Sequence, residues 1–402
     1  MFELFFFYID PGTGSLILSA LIGMSMTFLF KIRGSYYSIV NRLFGLNSKF
    51  NFDFSGKIVF YSEGASYWRV YKPVILELIR NNEHFVYLSS DKKDPGLAFN
   101  NYCVESFYLG NIRESIFILN RLKANLCVMT TPQLDVISLK RSKDVKHYCH
   151  IIHSPTDIHA YKKFAFDYFD SVLCSSKYQI LSLRSLEEKR KTKVKELLPV
   201  GCTYFDFVSD NANKDIGTSI LIAPTWGDRT FFKYCGKEII QILLNAGYEI
   251  IYRPHPQSWI SDRDLLDSIL STFESNPKLS IDRETNSETS INKSNLLICD
   301  ITSGMLYDMA FTHNKPVIGI NFKWDDGGYE SSSLEHENSA FQFLKDIGIV
   351  LHISEVNNLA KIVKRISANK ISKKIIDKHI FNFRKSGKIA AQQISLINNN
   401  LK

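Results

Sequence analysis

The sequence predicts an α/β protein built from two parallel-sheet domains behind an apolar amino-terminal segment. Three observations lead there. From Lys57 onward, short runs of β-branched and aromatic residues alternate with longer stretches of helical spacing, the pattern of parallel βαβ units. A polar stretch at 209–218, SDNANKDIGT, parts the runs into two groups. The first thirty residues are almost wholly apolar, unlike the rest of the chain.

A length of 402 residues suits two or three domains of about 150 residues each. With 22% charged and 45% hydrophobic residues, the composition excludes a disordered chain and a polytopic membrane protein. The net charge of +8 suits an anionic partner such as a phosphate ester, nucleic acid or a lipid surface, and charge alone does not choose among them. Seven cysteines without a C-x-x-C pair argue against a disulfide framework or zinc ribbon and fit a reducing compartment.

At the amino terminus, residues 2–9 are nearly all apolar, DPGTG interrupts at 10–14, and 15–30 carries no charge. This predicts an uncleaved membrane segment within a first region, 1–56, because acidic Glu3 and Asp10 precede the apolar run and Lys31 and Arg33 follow it. Lys31, Arg33, Arg42, Lys49 and Lys57 then place the larger part on the cytoplasmic side of the cell membrane. A buried hairpin or docked helix is the alternative.

Strands are predicted at 58–62, 84–89, 126–130, 147–153 and 171–174 in the first α/β domain, 57–210. In the second, 211–402, they fall at 219–224, 249–253, 296–299, 316–320 and 349–352. Apolar positions three and four apart predict helices at 70–81, 113–124, 231–246, 262–273, 305–313 and 356–367. The run EEKRKTKVK at 187–195 is expected to be a solvated helical face.

Ligands of open parallel sheets bind beyond the carboxyl ends of the strands, so polar residues directly after a strand carry weight. Four segments qualify. In IIHSPTDIH, His153 has the pKa range of a general base for an alcohol nucleophile, with Asp157 as a candidate to orient it; capping or interface packing is the bland alternative. In LIAPTWGDR, Thr225 and Arg229 offer a hydroxyl and a guanidinium to an anionic donor, although Pro and Gly suit any turn. In IIYRPHP, two prolines bracket His255 and would hold it and Arg253 toward a diphosphate; Arg253 as a buried ion-pair partner is the competing reading. In CDITSGMLYD, Thr302 and Ser303 precede a helix start, which makes either a phosphate cradle or an ordinary cap.

IHSPTDIH, LIAPTWGDR, YRPHP and CDITSGMLYDMAF, in that order, resemble the CDP-glycerol glycerophosphotransferase family of teichoic-acid primases and polymerases. The family's first motif carries a His-Gly pair where this chain has His153-Ser154. The resemblance implies a GT-B fold with two Rossmann-like domains facing a cleft. It also implies transfer of glycerol phosphate from CDP-glycerol, or another CDP-polyol, to a lipid-linked or glycan acceptor at the membrane, with no metal or other cofactor. Carried onto this chain, it implies His153 as base with Asp157 and His255 as further catalytic candidates. Ser154, Thr225, Arg229, Arg253, Asp300, Thr302 and Ser303 are the substrate-binding candidates, with Asp300 orienting its turn.

P-loop, G-x-S-x-G and H-E-x-x-H patterns are absent. His147, His150, His153 and His159 match no standard metal spacing, since on a strand His150 faces away from His147 and His153. The basic residues form no nucleic-acid recognition motif, so no nucleic-acid partner is expected. A GT-B glycosyltransferase using a nucleotide sugar and an inactive membrane-tethered scaffold are the competing functions.

Overall fold

Two all-parallel sheets lie in succession along the chain. The computed structural model describes residues 52–208, 217–273, 275–284, 287–366 and 371–402; the amino-terminal segment of the sequence analysis lies outside them, as does most of the polar stretch between the domains. Among the described residues, no helix is long and apolar enough to cross a membrane.

The first sheet holds β1 (Asp53–Ser62), β2 (Phe85–Ser89), β3 (Val104–Tyr108), β4 (Lys123–Met129), β5 (Val145–Ile151), β6 (Ser171–Cys174) and β7 (Glu196–Pro199) in the spatial order β3-β2-β1-β4-β5-β6-β7. Ile58 of β1 pairs with Phe85 on one side and Leu126 on the other, which fixes the register around the centre. The second sheet holds β8 (Ser219–Ile222), β9 (Ile250–Tyr252), β10 (Leu279–Ile281), β11 (Ser294–Asp300), β12 (Val317–Asn321) and β13 (Ile349–His352), ordered β10-β9-β8-β11-β12-β13. In each sheet the strand order reverses beside the first strand, between β1 and β4 and between β8 and β11. A crevice opens at such a switch point, outside the carboxyl ends of the strands.

Both faces of each sheet are covered, which is why the central strands contain short continuous apolar runs such as 58–61 and 296–299. In the second sheet Ile220 and Ile222 join the core beneath helix Phe232–Asn245, while Leu221 and Ala223 join the opposite core with Leu306, Met309 and Phe343. All seven cysteines are buried and unpaired.

The ten expected strands are all present; 171–174 and 349–352 keep their expected ends and the other eight are shifted. β3, β7 and β10 escape the sequence reading because each is a short edge strand: one flank has no partner, and half-exposed runs such as VESFY and ELLP lack the apolar density of a central strand. The helix expected at 113–124 stops at Leu119, and Lys123 already belongs to β4. Asn111 caps that helix, its side chain accepting from the amides of Arg113 and Glu114. The charged run also differs from expectation. Helix Lys177–Arg190 ends where Lys191 takes a left-handed φ of 53°, and the chain folds back so that buried Glu187 pairs with Lys195 at 3.4 Å and accepts from its amide at 2.9 Å.

The chain's last helix, Ser386–Asn400, returns to the first sheet. Ala390, Ala391, Ile394 and Ile397 pack with Ile58 and Val74, and Asn398 accepts from Asn125 at 3.2 Å. The first lobe thus takes its final helix from the carboxyl terminus, beyond the 57–210 span that the strand grouping suggested.

Candidate active site

The loops after β5, β8, β9 and β11 hold the ten candidate residues, and the fold divides them into two groups with different surroundings. Asp300 organises the second switch point. Its Oδ2 accepts from the Thr225 amide at 2.6 Å and lies 2.9 Å from the Thr225 hydroxyl, while its Oδ1 accepts from the Phe231 amide at 2.7 Å. One side chain at the end of β11 therefore sets both ends of the loop leaving β8. Burial pushes this carboxyl up to about 7, against those donors and the Arg229 charge, which favour its ionised form. Thr225 is fully engaged, its hydroxyl also 2.9 Å from the Arg229 carbonyl.

Arg229 crosses between the lobes. Its Nη1 donates to the carbonyl of Ala160 at 2.9 Å, and its guanidinium lies 5.1 Å from the Tyr329 ring centre, while its buried Nε finds no partner within the protein. Arg253 does not face an open site in this structure. It is 8% exposed and paired with Asp282 at 2.5 Å, the ion-pair arrangement that competed with a phosphate role. His255 differs from its neighbour. It is exposed, its ring 6.1 Å from that of Trp226, and its Nδ1 accepts from the Gln257 amide at 3.1 Å. An accepting Nδ1 places the proton of the neutral ring on Nε2, which makes that nitrogen a donor. Partial desolvation, then the positive charge of Arg229, holds this imidazole below its usual value.

His153 stands at the end of β5 between two aromatic edges, 5.5 Å from the Tyr67 ring and 6.0 Å from that of Tyr161. Burial, reinforced by the Arg69 cation, lowers its pKa to about 4, so the ring is neutral at pH 7. Its buried Nδ1 has no hydrogen-bond partner, and the Tyr161 hydroxyl is likewise unpartnered. Asp157 does not orient this ring. Its Oδ1 accepts from the Ile158 amide at 2.7 Å and the Ser182 hydroxyl at 2.9 Å, and its Oδ2 from the Ser339 amide at 2.9 Å. Burial alone would raise this carboxyl; His159 beside it and those donors outweigh that and hold it at about 2. The sequence offers Asp157 as the carboxylate in the same segment after the strand, but the turn after His153 sends it toward the second lobe.

Ser154 meets the turn that follows β11. A Cβ added to Gly304 would lie 3.1 Å from the Ser154 hydroxyl, so glycine permits the approach of the two lobes here. The Ser154 hydroxyl accepts from the Thr156 amide at 3.3 Å and lies 3.1 Å from the Thr156 hydroxyl. On the facing turn, Ser303 accepts weakly from the Met305 amide at 3.3 Å, and the buried hydroxyl of Thr302 has no partner. The short helix Met305–Tyr307 continues as a π-turn, Asp308–Thr312.

Three residues beside these were not selected from the sequence. Arg69 lies 4.7 Å from the centre of the Tyr204 ring, whose hydroxyl is 3.4 Å from Asp308. Burial raises the Asp308 carboxyl to about 6, opposed by the charge of Arg69. Asp308 was within a quoted motif, but nothing in its spacing separated it from an ordinary helical residue. Arg69 opens a helix and follows no strand directly, so no positional signal marked it.

The polar ends of both sheets thus converge where the lobes meet, which defines a two-lobed parallel α/β protein consistent with the GT-B class. Solved structures share this architecture. The wall teichoic acid polymerase TagF is 16% identical with a TM-score of 0.54, covering 93% of this chain and 98% of its own; TagF soaked with CDPG is 18% identical with a TM-score of 0.53 over the same coverage. The UDP-GlcNAc 2-epimerase of Methanocaldococcus jannaschii, in complex with UDP-GlcNAc and UDP, is 13% identical with a TM-score of 0.57, covering 85% of this chain and 99% of its own. No protein-family model and no curated protein sequence matches the chain.

Proposed function

We propose that the protein transfers glycerol phosphate, or a related polyol phosphate, from a CDP-activated donor to an acceptor hydroxyl in cell-surface polymer synthesis, releasing CMP. The observation that carries this reading is the approach of Ser154, next in the chain to His153, to Gly304 of the Thr302-Ser303-Gly304 turn, with a neutral imidazole on one lobe and an unpartnered buried hydroxyl on the other. Buried polar groups without partners are costly, and a ligand that supplies partners offsets that cost. The four motifs and the likeness to TagF, including the structure soaked with CDPG, support the choice of donor.

In the proposed reaction the acceptor oxygen attacks the glycerol-bearing phosphorus, the bond to the CMP oxygen breaks, and His153 takes the hydroxyl proton. Arg229 and the His255 Nε2–H stand on the donor side, where charge grows on the phosphate oxygens and the leaving CMP. Asp300 acts by holding the β8 loop rather than by touching substrate. The donor's negative charge would raise the pKa of His153 above about 4 and make it a stronger base. The acceptor would be lipid-linked or glycan in nature. The apolar residues 15–30 would hold the lobes at the cytoplasmic face of the membrane.

The epimerase likeness favours a second reading, a sugar nucleotide as substrate, since the same architecture there accompanies UDP-GlcNAc. Incubation of the full chain with membrane extract and a panel of CDP-glycerol, CDP-ribitol and UDP-sugars separates the two. CMP released from a CDP-polyol is expected. Nucleotide released only from sugar nucleotides would overturn the proposal.

A further inference from the structure

Away from the Ser154–Gly304 contact, the 3-10 turn Ile158–Ala160 meets the loop that precedes helix Ser339–Ile347. Asp157, His159 and His336 come together there, each offering one ligand atom within 4.8 Å of the others. His159 is 6% exposed and donates from Nε2 to the carbonyl of His336 at 2.9 Å. In the neutral ring that bond places the proton on Nε2 and leaves Nδ1 with a lone pair; in the imidazolium, which burial opposes but the Asp157 charge favours, Nδ1 carries a proton as well. Nδ1 lies 3.4 Å from Asp157 Oδ2, is buried, and has no hydrogen-bond partner.

In the neutral ring this lone pair faces a buried carboxylate, and the repulsion is relieved by a cation between them, either a proton on Nδ1 or a metal ion. A proton would draw the two atoms to the roughly 2.7–3.2 Å of a hydrogen bond. Two donors on one tetrahedral ion, each at ~2.0–2.1 Å, stand about 3.4 Å apart. The observed 3.4 Å has room for the ion. The surroundings fit as well: a histidine that donates its second nitrogen to a backbone carbonyl, and a carboxylate held by further donors, are how metal ligands are aligned from outside. Ser182 supplies part of that alignment, its hydroxyl 2.9 Å from Asp157 Oδ1 and 2.8 Å from His336 Nε2. His336 is exposed, which gives an ion a way in.

We propose that Asp157, His159 and His336 form a zinc-class metal site that ties the two lobes together. Two imidazoles and one carboxylate suit zinc among the biological divalent ions and leave a fourth position for water. Asp157 and His159 come from the first lobe and His336 from the second, so an ion bound here would resist their separation. The proposal does not depend on the nucleotide chemistry, since none of its residues is needed to hold the donor.

The test uses tag-free full-length protein, stripped by chelator and titrated with Zn²⁺ alone against a chromophoric competitor, followed by Co²⁺ substitution. One equivalent should bind per chain, the Co²⁺ form should show the visible bands of four-coordinate cobalt, and Zn²⁺ should raise the Tm. His336→Gln changes an exposed residue; it should retain the native circular dichroism and lose at least tenfold in zinc affinity, as even weaker perturbations around metal ligands do. Wild-type protein that binds no zinc would overturn the proposal. Unchanged zinc affinity in His336→Gln, or an NMR spectrum of metal-free protein with both His159 nitrogens protonated and no shift on adding zinc, would also overturn it.

Discussion

The seam between the lobes and the site beside it are built from the same residue types and treat them differently. At the seam, Glu330 accepts from the Ala165 amide at 3.0 Å and pairs with Arg190, which also holds Asp167 at 2.8 Å; the Glu330 amide donates to the Tyr161 carbonyl at 2.8 Å. Its carboxylate is fully buried and fully matched. A few residues away, the Nδ1 of His153, the hydroxyl of Tyr161, the hydroxyl of Thr302 and the Nε of Arg229 are buried and unmatched. The matched groups hold the lobes, whereas the unmatched ones keep a hydrogen-bonding valence that a ligand could fill; Arg229 does both, since its Nη1 bridges to Ala160. Charge alone could not make that distinction, because Arg190 and Arg229 look alike in the sequence.

The sharpest way to break the comparison is at His153. His153→Ala should lower transfer in the folded protein by about 10²–10⁴-fold, the range for loss of a general base, while the gap left between Tyr67 and Tyr161 lowers the Tm only by the lost packing, since Nδ1 makes no bond. Steady turnover would remove His153 from the mechanism. Glu330→Gln should do the reverse, costing about 3–5 kcal/mol in chemical unfolding by leaving Arg190 buried without its full partner, while donor affinity in the folded fraction holds. Unfolding at the wild-type midpoint would show the seam to be dispensable.

A pH titration of stability probes the same contrast. The His153 pKa is depressed from 6.5 to about 4, so the unfolded chain binds its proton more readily. The stability tied to its neutral form is complete above 6.5 and is lost as pH falls toward 4, by at most about 3 kcal/mol. His153→Phe should flatten unfolding between those values; an unchanged slope would place its source elsewhere. The smallest effect is expected at Thr302. Thr302→Val keeps the shape and removes an unmatched hydroxyl, so stability should hold or rise slightly, while donor affinity falls by about tenfold, the worth of one hydrogen bond to a charged oxygen. Equal affinity would return Thr302 to a packing role.

Much of the architecture was legible because both sheets are buried on both faces: central strands such as β4 and β11 carry continuous apolar runs, 126–129 and 296–299, and the sequence shows them. Edge strands and the returning carboxyl-terminal helix were not legible, since their burial depends on partners distant in the chain. The same limit applies to the site. The rule that ligands lie beyond strand ends led to His153, Ser154, Thr302 and Ser303, all near the place where the lobes meet. It could not distinguish Arg253, which Asp282 occupies, from Arg229, and it could not show that Asp157 turns away from His153 to Ser339 and His159. His336 belongs with His159 only because the fold spans 177 residues to join them.

The central claim is that the unmatched groups around His153 await an anionic donor. Protein labelled with ¹⁵N-histidine, titrated by NMR with and without saturating CDP-glycerol, tests it directly. The His153 ring should titrate near 4 in the free protein and move upward when the donor's phosphates arrive, with the seam residues undisturbed. An identical His153 titration in the saturated complex would contradict the account.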